Sequence, residues 1–320
     1  MINKNTITIG IPAYNEENTI ESTVLSVINQ KNIEDLLIYV CANGCTDKTE
    51  KIVRDLSKNF DNLELIQSER GKPNAWNKIK NLNTSKYLMF IDGDVILSPE
   101  TISLMYAKII QEESIATGCN PIPILKNTNY FIRPNILPKQ KRAFGGLSGP
   151  GYILDISKFN ERMDLFGYKK MPIDIINEDR WVALVTGQKN ISYETNAKIY
   201  FKYVSTIKDY IKSSSRIISG RVQLEKEYPE LDYKLSPRLK TAKKWLDRAK
   251  RFRDLNLGEK IIAVANFIIK KPVNKAIRIY SSQKGKKLYK RKEHTNHWEV
   301  TETSKVNFKD IIPDGTYFSL

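Results

Sequence analysis

The first 120 residues alternate short apolar segments with segments of helical character. Four apolar, largely β-branched runs predict strands at residues 6–11, 35–41, 63–67 and 87–91. Three segments between them are predicted as helices, at residues 17–30, 48–60 and 72–82. Strands that alternate with helices predict an α/β fold with a mostly parallel, doubly wound sheet and helices on its faces.

Polar clusters follow three of the predicted strands, at residues 12–17 (PAYNEE), 43–47 (NGCTD) and 92–94 (DGD). In such a sheet the ligand binds at the carboxyl ends of the strands, so we expect the three clusters to meet at one edge. The glycine-rich fingerprint of a dinucleotide site is absent after the first strand, which argues against an NAD-type site.

Two carboxylates, Asp92 and Asp94, flank Gly93 directly after the apolar run at residues 87–91. Mg²⁺ is usually held by one or two carboxylates together with substrate phosphates. Gly93 permits a turn that aims both side chains outward. A metal held there would neutralise the negative charge of a departing diphosphate. Acidic turns are common, however, so the two aspartates alone are weak evidence for a metal site.

Six segments in order carry a resemblance to family 2 glycosyltransferases, which have the GT-A fold. They lie at residues 12–17, 43–47, 71–77 (GKPNAWN), 92–94, 148–152 (SGPGY) and 177–180 (NEDR). The resemblance spans approximately residues 5–220. It implies a Rossmann-like α/β domain that moves a sugar from a nucleotide sugar to a hydroxyl with inversion, using a divalent metal.

The resemblance also implies roles for residues on the donor side. Pro12, Tyr14 and Glu16 would line the pocket for the nucleotide base and ribose. Asn43 stands where the family often has an aspartate that faces the base. An amide can still hydrogen-bond a uracil edge, so a UDP-sugar is the expected donor. Lys72 would lie near the nucleotide and its diphosphate.

Three carboxylates complete the site that the resemblance implies. Asp92 and Asp94 would hold the ribose, the donor sugar and Mn²⁺ or Mg²⁺, with Asp94 as the direct metal ligand. Asp179 would be the general base that deprotonates the acceptor. The alternative for Glu178 and Asp179 is an acidic pair at a helix N-terminus, where the helix dipole favours negative charge.

The sequence differs from the processive members of the family at one motif. Those members carry Gln-x-x-Arg-Trp after the segment that contains the general base. Here only the arginine position matches, as Arg216, while Ser213 and Ile217 replace the glutamine and tryptophan. Arg216, together with Arg221, would pair with the diphosphate, since a guanidinium matches phosphate oxygens; the alternative is a solvated helix residue. The sequence also shows no transmembrane segments like those that flank the processive enzymes. We therefore expect an enzyme that adds one or a few sugars.

The net charge is unevenly distributed along the chain. Residues 1–200 contain 24 Lys and Arg against 23 Asp and Glu, whereas residues 201–320 contain 28 against 13. We predict a catalytic domain at residues 1–220, with a nucleotide-sugar half (1–120) and an acceptor half (121–220), and a basic, mainly helical region at 221–320. Within that region, 237–256 and 259–280 are predicted as helices and 281–292 as a mobile basic tract.

The basic region favours a polyanionic partner, and three interpretations stay open. It would bind an anionic membrane surface, pack on the catalytic domain, or bind nucleic acid. The Pro- and Asn-rich residues 127–146 are interpreted as a mobile acceptor-side loop.

The remaining sequence features concern location and function class. Three widely placed cysteines and an N-terminus that does not resemble a signal peptide favour a cytoplasmic protein. The basic region adds a peripheral position at the inner face of the membrane as the expectation if it binds anionic lipid. The acceptor is expected in surface glycan, polysaccharide or glycolipid synthesis. The alternatives are a glycosyltransferase that acts on a modified base in nucleic acid and a non-catalytic nucleotide- or glycan-binding protein.

Overall fold

A computed structural model describes residues 7–133, 147, 149–231 and 271–290. Its eight strands are β1 (Ile7–Ala13), β2 (Leu36–Asn43), β3 (Leu63–Ser68), β4 (Tyr87–Ile91), β5 (Val95–Leu97), β6 (Ala116–Ile124), β7 (Gly151–Asp155) and β8 (Ile191–Lys202). Its helices are α1 (Ile20–Ile28), α2 (Thr49–Ser57), α3 (Lys72–Leu82), α4 (Thr101–Gln111), α5 (Ile156–Leu165), α6 (Glu178–Thr186), α7 (Ile207–Glu227) and α8 (Lys271–Lys290).

The strands form one sheet in the order β3-β2-β1-β4-β7-β6-β8-β5. The first four strands are parallel, β7 runs antiparallel to both of its neighbours, β6 and β8 are parallel, and β5 is antiparallel to β8. The sheet is therefore mixed and mostly parallel, which confirms the predicted α/β class. The parallel half brings the carboxyl ends of β1, β2 and β4 to one edge.

Two apolar layers cover the faces of the sheet. Alternate side chains of β4 belong to opposite layers: Tyr87, Met89 and Ile91 pack with α1, α2 and α4, whereas Leu88 and Phe90 pack with α3, α5 and α6. This two-sided burial explains why the strand is apolar at every position. It also fixes the position of the acidic turn that follows, because β4 cannot shift by one residue without exchanging its two faces.

Close approach of α3 to the sheet requires a glycine in β1. A methyl group at Gly10 would lie 2.6 Å from Cγ2 of Ile79, which is a helix residue in the core. The tight contact holds α3, and with it Lys72 at the first position of the helix, against the strands that carry the other site residues.

The element bounds agree closely with the sequence prediction in the first half of the chain. Helix α3 and strand β4 have the predicted bounds, and the other five predicted elements begin and end within three residues of theirs. Helix α1 starts later than predicted, since the carbonyl of Glu16 accepts from the amides of Thr19 and Ile20 and so forms the turn before the helix.

Helices α7 and α8 pack against each other at the end of the described chain. Residue 220, the predicted domain boundary, lies inside α7. The prediction that residues 281–292 are a mobile tract is wrong up to residue 290, because that segment continues α8 and buries Ser281 and Gly285 against α7. The predicted helix at 237–256 and most of the predicted acceptor-side loop lie outside the described residues. Within the described ranges, no helix combines the length and apolarity needed to cross a membrane.

Candidate active site

A cavity of about 520 Å³ lies at the carboxyl ends of β1, β2 and β4. Nine residues that the sequence predicts for the site line this cavity: Pro12, Tyr14, Glu16, Asn43, Lys72, Asp92, Asp94, Asp179 and Arg216. Arg221, the second arginine considered for the diphosphate, is exposed on α7 and does not line the cavity.

Hydrogen bonds join the loops that follow β1 and β2. The side chain of Asn15, whose φ is 53°, accepts from the amide of Thr46 at 2.8 Å and donates to its hydroxyl at 3.0 Å. The carboxylate of Asp47 accepts from the amide of Glu17 at 3.0 Å and from that of Thr49 at 2.9 Å. These contacts hold the PAYNEE and NGCTD segments as one rigid wall of the cavity.

The acidic turn at residues 92–94, which follows β4, is held in place by contacts with α1 and with the loop after β1. The carbonyl of Gly93 accepts from the hydroxyls of Thr19, just before α1, and of Thr23 on α1, each at 3.1 Å. A methyl group at Gly93 would lie 3.2 Å from Cγ of Glu16. The turn is therefore fixed in position from the side of β1, and Asp92 and Asp94 project from a rigid support.

Asn43 lines the cavity and bridges two backbone segments with its side-chain amide. Its amide nitrogen donates to the carbonyl of Ala13 at 2.8 Å and its amide oxygen accepts from the amide of Gly71 at 3.3 Å. The side chain is only 4% exposed. Asn43 thus ties β1 to the start of α3, and these backbone contacts use half of the hydrogen bonds that its amide can form.

Lys72 lies between two carboxylates at the centre of the cavity. Its ammonium group pairs with Oδ1 of Asp92 at 2.5 Å and also with the carboxylate of Glu178. Burial would lower the pKa of Lys72, but the two carboxylates outweigh burial and hold the pKa well above its ordinary value. Lys72 is therefore charged, and it joins α3, β4 and the start of α6 through one ion-pair network.

Asp179 lies in the first turn of α6, beside Glu178. A methyl group at Gly149 would lie 3.5 Å from Oδ2 of Asp179 and 3.9 Å from Oδ2 of Asp92, so both carboxylates border the same glycine. Burial, with the charge of Glu178 as the second cause, raises the pKa of Asp179 to about 6. A carboxylate with this pKa is ionised at neutral pH and is more basic than an ordinary aspartate.

Arg216 projects from α7 toward the same carboxylates. Burial lowers its pKa, and the charges of four acidic residues oppose that effect, namely Glu178, Asp92, Asp179 and Asp94. The sequence left open a solvated helix position for Arg216. The structure instead places it in the cavity lining, where its guanidinium faces the acidic centre.

The donor set at the centre of the cavity fits a hard divalent cation. Burial, and then the charge of Asp92, raises the pKa of Asp94 to about 7. Four carboxylates meet two cationic side chains there, which leaves two negative charges in excess when all are ionised. Over the described ranges no three His, Cys, Asp or Glu side chains form a metal cluster. Mg²⁺ and Mn²⁺ take few protein carboxylates and complete their shell with phosphate and water.

The structure also shows cavity contacts that the sequence does not predict. Glu178 is 5% exposed and pairs with Lys72 across 106 positions of sequence. Arg70 stacks over the ring of Tyr14 at 4.7 Å, and its Nε is buried with no partner in the described protein. Three aromatic residues also line the cavity: Phe201 at the end of β8, Tyr203 just after it, and Tyr210 in the first turn of α7. Glu178 lies in the NEDR segment, but only the fold shows that it pairs with Lys72. No local pattern marks Arg70 or the three aromatic residues.

A comparison with protein families gives one match that covers half of the chain. The profile described as "Glycosyl transferase family 2" matches residues 8–171. Among curated proteins, the chondroitin synthase of Pasteurella multocida (strain Pm70) is 28% identical over 111 residues. The aligned part is 34% of this chain and 11% of that protein, so the chain matches a small part of the relative's length.

Solved structures share the fold over most of the chain. The mannosyltransferase PcManGT from Pyrobaculum calidifontis, in complex with GDP-Man and Mn²⁺, has a TM-score of 0.60 at 16% identity, covering 90% of this chain and 87% of that one. Residues 1–349 of S. aureus TarS, in complex with UDP-GlcNAc, have a TM-score of 0.52 at 17% identity, covering 90% and 92%. At these identities the likeness concerns the fold.

Proposed function

This chain belongs to glycosyl transferase family 2, and from that premise we propose that it transfers a sugar from a nucleotide sugar to an acceptor hydroxyl with inversion. The observation that carries this proposal is that nine of the residues predicted for the site line one cavity of about 520 Å³. The cavity is large enough for a drug-sized ligand, since such sites measure about 300–1,000 Å³.

The donor nucleotide would occupy the wall formed by the loops after β1 and β2. Pro12, Tyr14 and Glu16 line this wall, and the stacked guanidinium of Arg70 extends it. Asn43 would act here mainly by holding the wall together. Lys72 and Arg216 would stabilise the negative charge that develops on the diphosphate as the glycosidic bond breaks.

Asp94, with Asp92, would hold Mn²⁺ or Mg²⁺, which supplies Lewis-acid stabilisation of the leaving diphosphate. Asp92 is already paired with Lys72, so Asp94 is the residue that we assign to the metal first. Asp92 would orient Lys72 and contact the ribose or the donor sugar.

Asp179 would act on the acceptor. It would accept the proton of the attacking hydroxyl as that oxygen bonds to the anomeric carbon and the bond to the diphosphate breaks. Its position beside Gly149 at the acidic centre and its raised pKa support this role. The aromatic residues Phe201, Tyr203 and Tyr210 would form the surface on which an acceptor sugar packs.

For the donor we propose a UDP-sugar, with a GDP-sugar as the competitor, since fold neighbours have been solved with UDP-GlcNAc and with GDP-Man. For the acceptor we propose a surface glycan or a glycolipid. The name of the relative chondroitin synthase supports a glycan. Replacement of the Gln-x-x-Arg-Trp pattern supports transfer of one or a few sugars.

The proposal is tested by incubating the full chain with a panel of UDP- and GDP-sugars and Mn²⁺, and by measuring nucleoside diphosphate release. Water can replace the acceptor, so slow release is expected from one donor. Asp179→Asn should lower that rate by about 10²–10⁴-fold, the usual contribution of a general base. Glu161→Gln, on the exposed side of α5, is the matched control and should leave it unchanged.

Two outcomes would contradict the proposal. Nucleotide binding without release from any donor, with or without candidate glycan acceptors, would favour a non-catalytic binding protein. Release that requires DNA carrying a modified base would instead support the alternative acceptor class.

A further inference from the structure

Helix α8 has an unusually one-sided charge. Of its 20 residues, seven are Lys or Arg and none is Asp or Glu. Such a helix cannot form ion pairs between its own side chains. It creates a local positive field, which attracts anionic surfaces.

Contacts with α7 fix which side of α8 faces outward. The hydroxyl of Ser215 donates to the carbonyl of Ser281 at 3.1 Å, and Ser281 is fully buried. A methyl group at Gly285 would lie 2.5 Å from the carbonyl oxygen of Ser215, so the two helices touch along their backbones. The side of α8 that carries Ser281 and Gly285 therefore packs against α7.

The opposite side combines apolar and cationic residues. Ile279 is 49% exposed and Tyr280 is 57% exposed. Helical periodicity places Lys275, Lys286 and Lys287 on the same outward side, and all three are exposed. We define this outward face of α8 by these five residues.

We propose that the outward face of α8 binds the surface of a membrane that contains anionic lipids. Lysines around an exposed isoleucine and tyrosine are the composition of an interfacial helix, in which the apolar side chains enter the headgroup boundary and the cations meet the lipid phosphates. Nucleic acid would use the lysines and the single ring of Tyr280, but it would leave the exposed Ile279 without a partner, since isoleucine neither stacks on nor hydrogen-bonds to a base. The observations therefore favour the lipid surface.

The position of α7 connects this face to the cavity. Ser213, Arg216 and Ile217 on α7 line the cavity, while Ser215 of the same helix contacts α8. Docking through α8 would thus hold the cavity close to the bilayer, where a lipid-linked acceptor would lie. This consequence rests on the proposed function, whereas the docking itself does not.

The test is sedimentation of the full chain with vesicles of phosphatidylcholine alone and of phosphatidylcholine mixed with phosphatidylglycerol. We expect binding to the mixed vesicles only, weakening as salt is raised. Lys286→Glu/Lys287→Glu should lower the partition coefficient at least about twentyfold, since each lysine near an anionic surface contributes about fivefold. Ile279→Ser/Tyr280→Ser should also weaken binding, because it removes apolar contact without changing charge.

The control is Lys31→Glu/Lys189→Glu, which changes the net charge equally at exposed positions outside α8. It should bind the mixed vesicles much more tightly than the α8 charge variant. Equal loss in both charge variants would overturn the proposal, as would equal binding of wild type to both vesicle types. So would retention of binding in Ile279→Ser/Tyr280→Ser together with tight binding to a single-stranded oligonucleotide, which would assign the face to nucleic acid.

Release of nucleoside diphosphate without vesicles is measured in parallel for each variant. We expect no change, because none of the substituted residues lines the cavity. A wild-type chain that binds the mixed vesicles but releases no nucleoside diphosphate would contradict the proposed function and leave the docking face intact.

Discussion

Replacing Glu178 by glutamine would remove the acidic neighbour of Asp179 while keeping the shape of the side chain. The charge of Glu178 is the second cause, after burial, of the raised pKa of Asp179, which lies at about 6. The substitution also leaves Lys72 with Asp92 as its remaining partner in the network, so more of its positive charge acts on Asp179. Both changes lower the pKa of Asp179.

The expected magnitude follows from the two causes. Burial remains in the variant, so the pKa of Asp179 should lie between its ordinary value of 3.8 and about 6. If the pKa of Asp179 in the variant is about 5, half of the Asp179 side chains are ionised at pH 5, compared with about a tenth in the wild type. At pH 5 the variant should therefore retain a roughly fivefold larger fraction of its own maximal activity than the wild type does. A general base must be unprotonated, so the acid limb of the rate profile moves to lower pH.

The assay is the pH dependence of kcat/KM for nucleoside diphosphate release between pH 4.5 and about 8, at saturating Mn²⁺ for every pH. Saturation keeps protonation of Asp94 from contributing to the acid limb. Glu161→Gln should retain the wild-type midpoint. A midpoint in Glu178→Gln that stays near the wild-type value, or rises, would show that Asp179 is not the titrating base.

Three further variants test other parts of the site. Asp94→Ala should lose metal-dependent turnover by about 100-fold or more, yet its melting temperature without metal should not fall, because a carboxylate with a raised pKa destabilises the folded state above its unfolded pKa. Arg216→Lys should weaken nucleoside diphosphate binding in calorimetry by about tenfold, because an ammonium group cannot bond bidentately; unchanged affinity would remove Arg216 from the donor site. Gly220→Ala places a methyl 2.6 Å from the side chain of Asn177, next to Glu178, and should cost about 1–3 kcal/mol in urea unfolding; an unchanged midpoint would refute that packing.

The parallel half of the fold and its loop residues could be predicted because their signals are local. The run at β4 is apolar on both faces, and α3 begins at Lys72 with proline in its first turn, so both were predicted with the correct bounds. The rule that strand ends share one edge then brought three polar clusters together without knowledge of side-chain packing.

The second half of the sheet gave weaker signals for a physical reason. Strand β6 contains Pro121 and Pro123, which normally argue against a strand. The structure accommodates them because residues 120–124 pair with β8 only, whereas β7 pairs with residues 116–118. Strand β8 is partly exposed and polar, so its sequence lacks the apolar run of a buried strand.

Site contacts between distant residues could not be predicted at all. The pairing of Lys72 with Glu178 depends on how α6 packs under the sheet, and the sequence distinguishes neither the partner nor its geometry. Asn43 illustrates the same limit, since its place after β2 follows from the sequence but its backbone contacts to Ala13 and Gly71 do not.

The most direct test of the account is a time course of one nucleotide sugar by nuclear magnetic resonance, with Mn²⁺ replaced by diamagnetic Mg²⁺. We expect release of the nucleoside diphosphate together with a free sugar that first appears in the anomeric configuration opposite to that of the donor. Asp94→Ala should show neither product. A sugar released with the donor's own configuration, or equal release by wild type and Asp94→Ala, would contradict an inverting, metal-dependent transfer at this cavity.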